Sequence, residues 1–434
     1  MFRYEDFAVD AEQGVLTCRY SLDSREFTER VTLAPGPRWH AEAAQVAARL
    51  VFLLAGVSYY KTAAPPVIDL GQTTLTETEL TFLRAFYTDG LAEYAYRNAL
   101  DLTPLRIKAS RPAETPSPSG PPAAGQLRAL VPFGGGIDSI VVVERVRRLA
   151  DAALFVVSRP GDRFDAIEAP AAVTGLPVVR AEREIDPQLL RSAEFGFLNG
   201  HVPVTGILSA IAVLAAVLAD RDAVVMSNEW SASIPTLEDQ GRPVNHQYSK
   251  GEAFEAGFRG VLGTTNAPMP EYFSWLRDRT ELWVGQQFAA LPQYHGSFRS
   301  CNKAFYTDRA RRLDHWCGQC DKCCFIDLIL APFLPAEELR RIFAPSAEPL
   351  EDPALAAKFL ALLGTGAKPF ECVGEVSECR AAVLLAARRA DRADNGLLKE
   401  LAHEVAGWPD APSEAEAAAM LRPVSQNFIP TGYR

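Results

Sequence analysis

Hydrophobic and polar positions near the start of the chain follow two different periods. Residues 2–34 alternate polar and apolar side chains between turn residues, which predicts a three-stranded antiparallel meander. Apolar positions then recur at helical spacing over residues 40–55 and again over residues 77–87. Strands followed by helices in this way predict an α+β domain over residues 1–108.

Two short stretches of this region, residues 56–61 and 90–98, are rich in tyrosine. They also carry charged residues at turns, but we interpret them as a packing surface. Residues 109–125 are dense in proline, serine and alanine, which is typical of an extended linker rather than of a folded element.

From residue 126 the pattern changes to alternating strands and helices. Buried strands are predicted at residues 129–133, 153–157, 176–180 and 223–226. The longest apolar stretch, residues 204–219, is short for a membrane span of about 20 residues, so we interpret it as a helix buried against the sheet. Such alternation is typical of a doubly wound parallel sheet. We therefore predict an α/β fold with its central domain at residues 126–300.

The first strand of this domain runs into Gly134-Gly-Gly-Ile-Asp-Ser139 and then into a helical pattern. Glycine lets backbone N–H groups turn towards an anion, and the helix N-terminus adds partial positive charge at the same point. Asp138 and Ser139 open the helix, where they can cap it or reach a metal on the phosphates. The candidate nucleotide-binding residues of this loop are Gly134, Gly135, Gly136, Asp138 and Ser139.

This loop resembles the Ser-Gly-Gly-x-Asp-Ser loop of the N-type ATP pyrophosphatases and lacks the Gly-Lys-Ser/Thr of kinase-type P-loops. The resemblance implies ATP, split between its α and β phosphates. Ligands of doubly wound sheets bind outside the carboxyl ends of the strands, so Ser158 and Ser227, which end two strands, are expected at the same crevice.

Polar runs elsewhere add candidate substrate-binding and catalytic residues near this crevice. They are Asn199, His201, Thr205, Asn228, Glu229, Asn245, His246, Tyr248, Lys250, Arg299, Asn302, Lys303 and Glu371. Each run taken alone is equally typical of a cap, a turn or a solvated face. His246 and Lys250 are four residues apart and would share one face of a helix. We take His246, Lys250 and Glu229 as candidate proton carriers, with Arg299 or Lys303 holding the acidic groups of the substrate.

Four cysteines form a candidate metal site: Cys301, Cys317, Cys320 and Cys323. Four thiolates at this spacing suit structural zinc, with an iron–sulfur cluster as the alternative. Cys324 or Cys372 could replace one ligand. The sequence thus predicts a cysteine-rich metal module at residues 301–345, followed by a helical C-terminal region at residues 346–434.

Composition excludes several classes of function. The formal net charge of −10 argues against a large nucleic-acid footprint, which requires clustered lysine and arginine. The first residues carry charges where a signal peptide needs an apolar run, and eight cysteines in 434 residues do not make a disulfide framework. We therefore expect a soluble cytoplasmic protein.

Several runs together resemble the UDP-N-acetylmuramoyl-L-alanyl-L-glutamate epimerase family of bacterial peptidoglycan synthesis. The resemblance covers nearly the whole chain. The further runs that carry it are Ala55-Gly-Val-Ser-Tyr-Tyr-Lys61, Ala331-Pro-Phe-Leu-Pro335 and Lys368-Pro-Phe-Glu-Cys-Val-Gly-Glu375. The chain departs from the expected pattern at Ile137, where many pyrophosphatases have lysine, and at Trp230, where arginine is expected.

The resemblance implies an ATP- and Mg²⁺-dependent isomerase that inverts the terminal glutamate of a UDP-muramoyl dipeptide and releases AMP and pyrophosphate. It also implies functional coupling to a muramoyl ligase that adds L-glutamate. Adenylation makes chemical sense, because the negative charge of a free carboxylate opposes removal of the proton from the neighbouring α-carbon. In an acyl-adenylate the same carbonyl group carries no charge and can accept the electron pair of the broken C–H bond.

Two other functions stay open on the sequence. One is amide ligation, nitrile formation or tRNA thiolation through the same adenylation step, although the acidity of the chain disfavours tRNA. The other is an ATP-binding scaffold without catalysis, which only Ile137 supports.

Overall fold

A computed structural model describes residues 1–110, 127–366, 368–371 and 373–434. Most of the predicted linker, and Cys372, lie outside the described residues. The first two residues of the predicted linker belong to a strand instead, because residues 106–110 pair with a neighbouring strand.

The strands are β1 (Phe2–Asp10), β2 (Val15–Leu22), β3 (Arg25–Thr32), β4 (Val67–Thr74), β5 (Arg106–Ser110), β6 (Arg128–Pro132), β7 (Asp151–Ser158), β8 (Val178–Glu184), β9 (Ala223–Met226), β10 (Leu237–Asp239), β11 (Arg242–Val244) and β12 (Glu271–Ser274). The helices are α1 (Glu42–Ala55), α2 (Val57–Tyr60), α3 (Glu77–Thr88), α4 (Ala92–Arg97), α5 (Ile137–Val146), α6 (Asp165–Thr174), α7 (Pro187–Leu190), α8 (Val204–Leu218), α9 (Glu252–Gly263), α10 (Glu281–Ala289), α11 (Asp321–Leu330), α12 (Ala336–Phe343), α13 (Ala356–Leu362), α14 (Val376–Ala387), α15 (Gly396–Ala406) and α16 (Glu414–Ala419).

Ten strands form one sheet in the order β12-β9-β6-β7-β8-β3-β2-β1-β4-β5. The five strands from β12 to β8 are parallel. The predicted meander and the four predicted parallel strands are therefore confirmed, whereas β4, β5 and β12 had not been predicted. The chain is an α/β protein built on a large, mostly parallel sheet.

The N-terminal strands join the parallel strands through antiparallel pairing of β3 with β8. An ion pair between Glu29 and Arg183 lies at this joint, with Nε and Oε1 2.8 Å apart and both side chains mostly buried. Tyr59 donates to the same carboxylate at 3.0 Å. The meander thus continues the central sheet, an arrangement that the sequence pattern did not predict.

Each face of the sheet covers a separate hydrophobic core. Val131 and Leu154 point to the core formed with α5, α10, α11 and α14, whereas Leu130 and Phe155 point to the core formed with α1, α3, α8 and α9. Helices on both faces make the parallel part doubly wound, as predicted. One helical stretch, Glu42–Tyr60, is long and apolar enough to cross a membrane, but 78% of its apolar window is buried within the protein.

The strand order reverses between β6 and β9. The chain steps from β6 outward to β7 and β8, then returns to place β9 on the other side of β6. At such a reversal the loops after the two adjacent strands separate and leave a crevice. Here the glycine loop follows β6, and residues 227–229 follow β9.

Candidate active site

The glycine loop turns sharply between β6 and α5. Gly135 has a φ of +75°, and a Cβ atom there would lie 2.1 Å from the carbonyl oxygen of Ala166, so this position requires glycine. Gly136 is the N-cap of α5, and no side chain caps the helix. The Ser139 hydroxyl donates to the Gly136 carbonyl at 3.0 Å. Neither Asp138 nor Ser139 is therefore the cap of α5.

Three acidic side chains meet beside this loop, and we call them the carboxylate cluster: Asp138, Glu229 and Glu281. One carboxylate oxygen of each lies within 4.8 Å of the others. Asp138 comes from the first turn of α5, Glu229 from the loop after β9 and Glu281 from the start of α10. Separate elements thus bring these charges to the point where the strand order reverses.

The carboxylate cluster has the properties of a cation site. Burial raises the pKa of Asp138 to about 6, and the charge of Glu229 acts in the same direction. Burial and the charge of Asp138 likewise raise the pKa of Glu281. Oδ1 of Asp138 and Oε2 of Glu281 are buried and accept no hydrogen bond from the described residues. Hard divalent cations prefer such oxygens, so the donor set fits Mg²⁺.

Positive charge reaches the cluster from other elements. Lys322 and Lys250 both interact electrostatically with Asp138, and Lys322 also acts on Glu281. Ile137, in contrast, is 2% exposed and packs in the core below α5. The departure from lysine at this position therefore places an apolar side chain in the core and leaves two lysines from elsewhere to supply the charge.

A second group, the imidazole cluster, consists of Glu93, His201 and His246. Nδ1 of His246 lies 2.5 Å from Oε2 of Glu93, and the two imidazole rings are 4.2 Å apart between centroids. Burial raises the pKa of Glu93, but hydrogen bonds from His246 and Arg97 outweigh it and hold the pKa below its usual value. Burial, and then the charge of His246, lowers the pKa of His201 to about 4, so that ring is neutral near pH 7.

His246 and Lys250 do not share a helix, which corrects the sequence-based expectation. The Asn245 side chain accepts a hydrogen bond from the backbone N–H of Gln247 at 2.7 Å, which closes a turn. Only Tyr248–Lys250 forms a short 3₁₀ turn, ahead of α9. His246 therefore lies in the loop between β11 and this turn.

Lys250 acts on both clusters. Lys250 interacts electrostatically with Asp138 of the carboxylate cluster and with His201 of the imidazole cluster. Glu371, in the loop before α14, interacts with His246. The C-terminal region thus closes one side of a site whose other walls come from the sheet and from α4.

Two predicted residues form hydrogen bonds with neighbouring loops. Asn302 donates to Glu371 at 3.1 Å. Asn199 accepts a hydrogen bond from Lys61 at 2.8 Å, so the first tyrosine-rich stretch supplies a lysine to the edge of the site. Burial lowers the pKa of this lysine.

Other predicted residues lie farther from the imidazole cluster. Arg299 pairs with Asp165 at the start of α6, on the side of the glycine loop. The backbone N–H of Asn228 donates to Ser274, and the Tyr248 ring packs on Phe254. The remaining predicted residues lie at strand ends, in a helix start or in a short 3₁₀ turn that follows Cys301: Ser158, Ser227, Thr205 and Lys303.

The four predicted cysteines Cys301, Cys317, Cys320 and Cys323 meet in space and form the cysteine cluster. Their sulfur atoms all lie within 4.8 Å of one another. Sγ of Cys323 is 3.7 Å from that of Cys317 and 3.4 Å from that of Cys320. Four sulfurs around zinc at about 2.3 Å would be about 3.8 Å apart, so the arrangement is compatible with a structural metal. Cys324 is buried but not part of the group.

Two family models match most of the chain. Residues 1–275 match the family model of the MurL N-terminal domain, and residues 297–416 match that of the MurL C-terminal domain. The chain belongs to the MurL family.

Three relatives carry the name UDP-N-acetyl-alpha-D-muramoyl-L-alanyl-L-glutamate epimerase. The protein from Salinispora tropica is 40% identical over 100% of this chain and 94% of its own length. Those from Micromonospora sp. and Xanthomonas oryzae are 38% and 37% identical, over 100% and 99% of this chain and 96% and 95% of their own lengths. No solved structure matches the chain. The family resemblance inferred from the sequence is confirmed.

Sequence reasoning missed three charged residues of the crevice. Glu281 follows the N-cap Thr280, where a glutamate ordinarily stabilises a helix start. Glu93 lies four residues before Arg97, a spacing that is typical of an ion pair on the surface of a helix. Lys322 stands between two cysteines of the metal module. The burial of Glu93 and Glu281, and interactions of all three over long sequence separations, distinguish them from ordinary surface residues.

Proposed function

We propose that the chain inverts the terminal L-glutamate of UDP-N-acetylmuramoyl-L-alanyl-L-glutamate in an ATP-dependent reaction that releases AMP and pyrophosphate. The supporting observation is a buried cation-type carboxylate cluster next to the glycine loop, together with an imidazole cluster with which it shares the electrostatic influence of Lys250. One cluster suits transfer of an adenylyl group, and the other suits proton transfer. The names of the three relatives identify the substrate class.

The glycine loop serves the adenylation half of the reaction. A substrate carboxylate oxygen attacks the α-phosphorus of ATP, the bond to the bridging oxygen breaks, and pyrophosphate leaves. Backbone N–H groups of residues 134–136 and the α5 N-terminus hold the phosphates. Arg299 lies on the same side of the loop and contacts the polyphosphate, rather than the acidic groups of the substrate.

The carboxylate cluster would hold Mg²⁺, which would supply positive charge to offset the charge on the departing pyrophosphate. Asp138, Glu229 and Glu281 supply the oxygen ligands. Glu229 is thereby assigned to cation binding instead of proton transfer, because its carboxylate lies with the other two acids. Lys250 and Lys322 offset the negative charge that the cluster and the nucleotide bring together.

Affinity for Mg²⁺ is expected to rise with pH. Because burial raises the pKa of Asp138 to about 6, this carboxyl holds a proton at pH 5.5 that the cation must displace. Calorimetry in two buffers of different ionisation enthalpy should show more protons released per ion at pH 6 than at pH 8. An affinity that is constant from pH 5.5 to 8 would exclude a cation at Asp138.

The imidazole cluster serves the epimerisation half. His246 is hydrogen-bonded to Glu93, which orients the ring and stabilises its protonated form. It is placed to move the α-proton on one side of the glutamate. Lys250, which approaches both clusters, is the candidate for the other side. His201 is neutral and packs against the His246 ring, so it excludes water without adding charge.

Incubation in heavy water tests the proposed function. The UDP-muramoyl dipeptide, ATP and Mg²⁺ should yield D-glutamate with one deuterium at its α-carbon, together with AMP and pyrophosphate. Consumption of an added amine or incorporation of sulfur would instead identify the ligase or thiolase reaction. Inversion without ATP, or inversion that retains the original α-hydrogen, contradicts the proposal.

The cysteine cluster is assigned to structural Zn²⁺, because four thiolates leave no coordination position for water. Replacing Cys320 with alanine should lower the zinc content from one ion per chain and lower Tm, since metal binding contributes directly to folding. Elemental analysis and calorimetric melting measure both effects. Cys18→Ala, in the N-terminal core, is the control and should keep the zinc. Full zinc content in Cys320→Ala, or iron in the native protein, would refute this assignment.

A further inference from the structure

A second cavity, of about 720 Å³, lies between α3, α4 and the hairpin formed by β10 and β11. Cavities of roughly 300–1,000 Å³ are typical of small-molecule sites. The helix α4 contributes Ala92, Ala95 and Tyr96 from one face. Small side chains on that face leave the room that the cavity occupies.

This cavity shares two walls with the imidazole cluster. Glu93, on a neighbouring face of α4, is the residue that binds His246. Val244, at the end of the hairpin, lines the cavity and lies two residues before His246. The Tyr96 ring lies 6.2 Å from that of Phe370, next to the loop that closes the crevice. A ligand in the cavity would therefore lie beside the proton-transfer site.

The side chains of the cavity combine three kinds of recognition chemistry. Tyr96 is 44% exposed, so part of its ring is accessible for stacking on a ligand. Arg84 and Arg242 supply guanidinium groups for phosphate oxygens. Asp89, Asp101 and Asp239 supply carboxylates that can accept hydrogen bonds from hydroxyl groups. An aromatic ring, two guanidinium groups and three carboxylates match a base, a diphosphate and a ribose.

We propose that this cavity binds the nucleoside diphosphate part of the substrate, an inference that rests on the proposed function. The reacting glutamate must lie at the imidazole cluster. The two amino-acid residues of the substrate extend at most about 7 Å, so the sugar and nucleotide have to lie outside the crevice. Binding energy from such a remote part of a substrate can hold its reacting end in place.

Binding of UDP tests this inference independently of turnover. Calorimetric titration with UDP should be done in the presence of a saturating non-hydrolysable ATP analogue, which occupies the glycine loop. Arg242→Gln should weaken UDP binding about ten- to hundredfold through loss of a charged hydrogen bond, and Tyr96→Ala about tenfold through loss of stacking. Both side chains are largely exposed. The control is Arg30→Gln, an exposed arginine paired with Glu184 on the sheet, which should bind UDP normally.

Substrate discrimination provides the second readout. The native protein should prefer the UDP-linked dipeptide to free L-alanyl-L-glutamate in kcat/KM, and both cavity variants should lose most of this preference. UDP that fails to bind beside the ATP analogue, or equal UDP affinity in all variants, overturns the inference. If no dipeptide is epimerised but UDP binding still depends on Arg242 and Tyr96, the proposed function fails and the nucleotide site stands.

Discussion

Replacing Asp138 with asparagine is expected to slow ATP-dependent pyrophosphate release by about 10²- to 10³-fold, the range found for loss of one preorganised electrostatic contact in an active site. The carboxylate lies in the first turn of α5, next to the loop that holds the phosphates, and it forms the cation site with Glu229 and Glu281. Asparagine keeps the shape but offers a neutral oxygen, so Mg²⁺ is held more weakly. A continuous pyrophosphate assay at several Mg²⁺ concentrations measures the loss.

The thermal stability of this variant, unlike its activity, should not fall. The pKa of this carboxyl is near 3.9 in the unfolded protein and about 6 in the folded protein. The free energy of unfolding therefore falls as the pH rises from about 3.9 through about 6. Asparagine removes this penalty, so Asp138→Asn should melt no lower than the native protein at pH 7 without Mg²⁺. Glu144→Gln, on the same helix but outside the cluster, is the control for activity. A large drop in Tm, or unchanged pyrophosphate release, would refute the assigned role.

Replacing His246 with asparagine should lower epimerisation and deuterium incorporation by about 10²- to 10⁴-fold, the usual contribution of a positioned acid or base. Release of pyrophosphate on the first turnover should change much less, because the glycine loop and carboxylate cluster are intact. Rapid-quench measurement of pyrophosphate, beside chiral analysis of the glutamate, separates the two effects.

The chain provides a matched control for this variant. His295 is also buried and also pairs with a glutamate, Glu338, at 3.0 Å, but it lies away from the crevice. His295→Asn should therefore keep both half-reactions, apart from any loss of stability. Glu93→Gln should reduce epimerisation less than His246→Asn, since Glu93 only positions and charges the ring. Equal loss of pyrophosphate release and epimerisation in His246→Asn would contradict proton transfer by this residue.

Features that depend on residues close together in the chain could be predicted from the sequence. The glycine loop, the strands around it and the cysteine spacing are all encoded within short segments, and the structure contains each of them. The joint between β3 and β8 could not be predicted in this way. Glu29 lies in the predicted meander and Arg183 lies three residues beyond a predicted buried strand. Neither pattern indicates that the two pair 154 residues apart and are buried together.

The groups that we propose to carry the reaction were predicted less completely than the fold, for a related reason. His246 was identified from its polar run, but its partner Glu93 lies 153 residues away in a stretch interpreted as packing. Glu281 was not identified as a site residue, because an acidic residue at a helix start is common on any protein surface. The pairing of acids from different elements becomes visible only when the sheet brings those elements together.

Transfer of an isotope from the substrate to AMP tests the central claim most directly. The dipeptide substrate should carry ¹⁸O in both oxygens of the reacting glutamate carboxylate, and the reaction should run in unlabelled water. If the carboxylate attacks the α-phosphorus and water later attacks the acyl carbon, each turnover leaves one ¹⁸O in AMP. Mass spectrometry that finds AMP unlabelled while the glutamate is inverted would contradict an acyl-adenylate in this crevice.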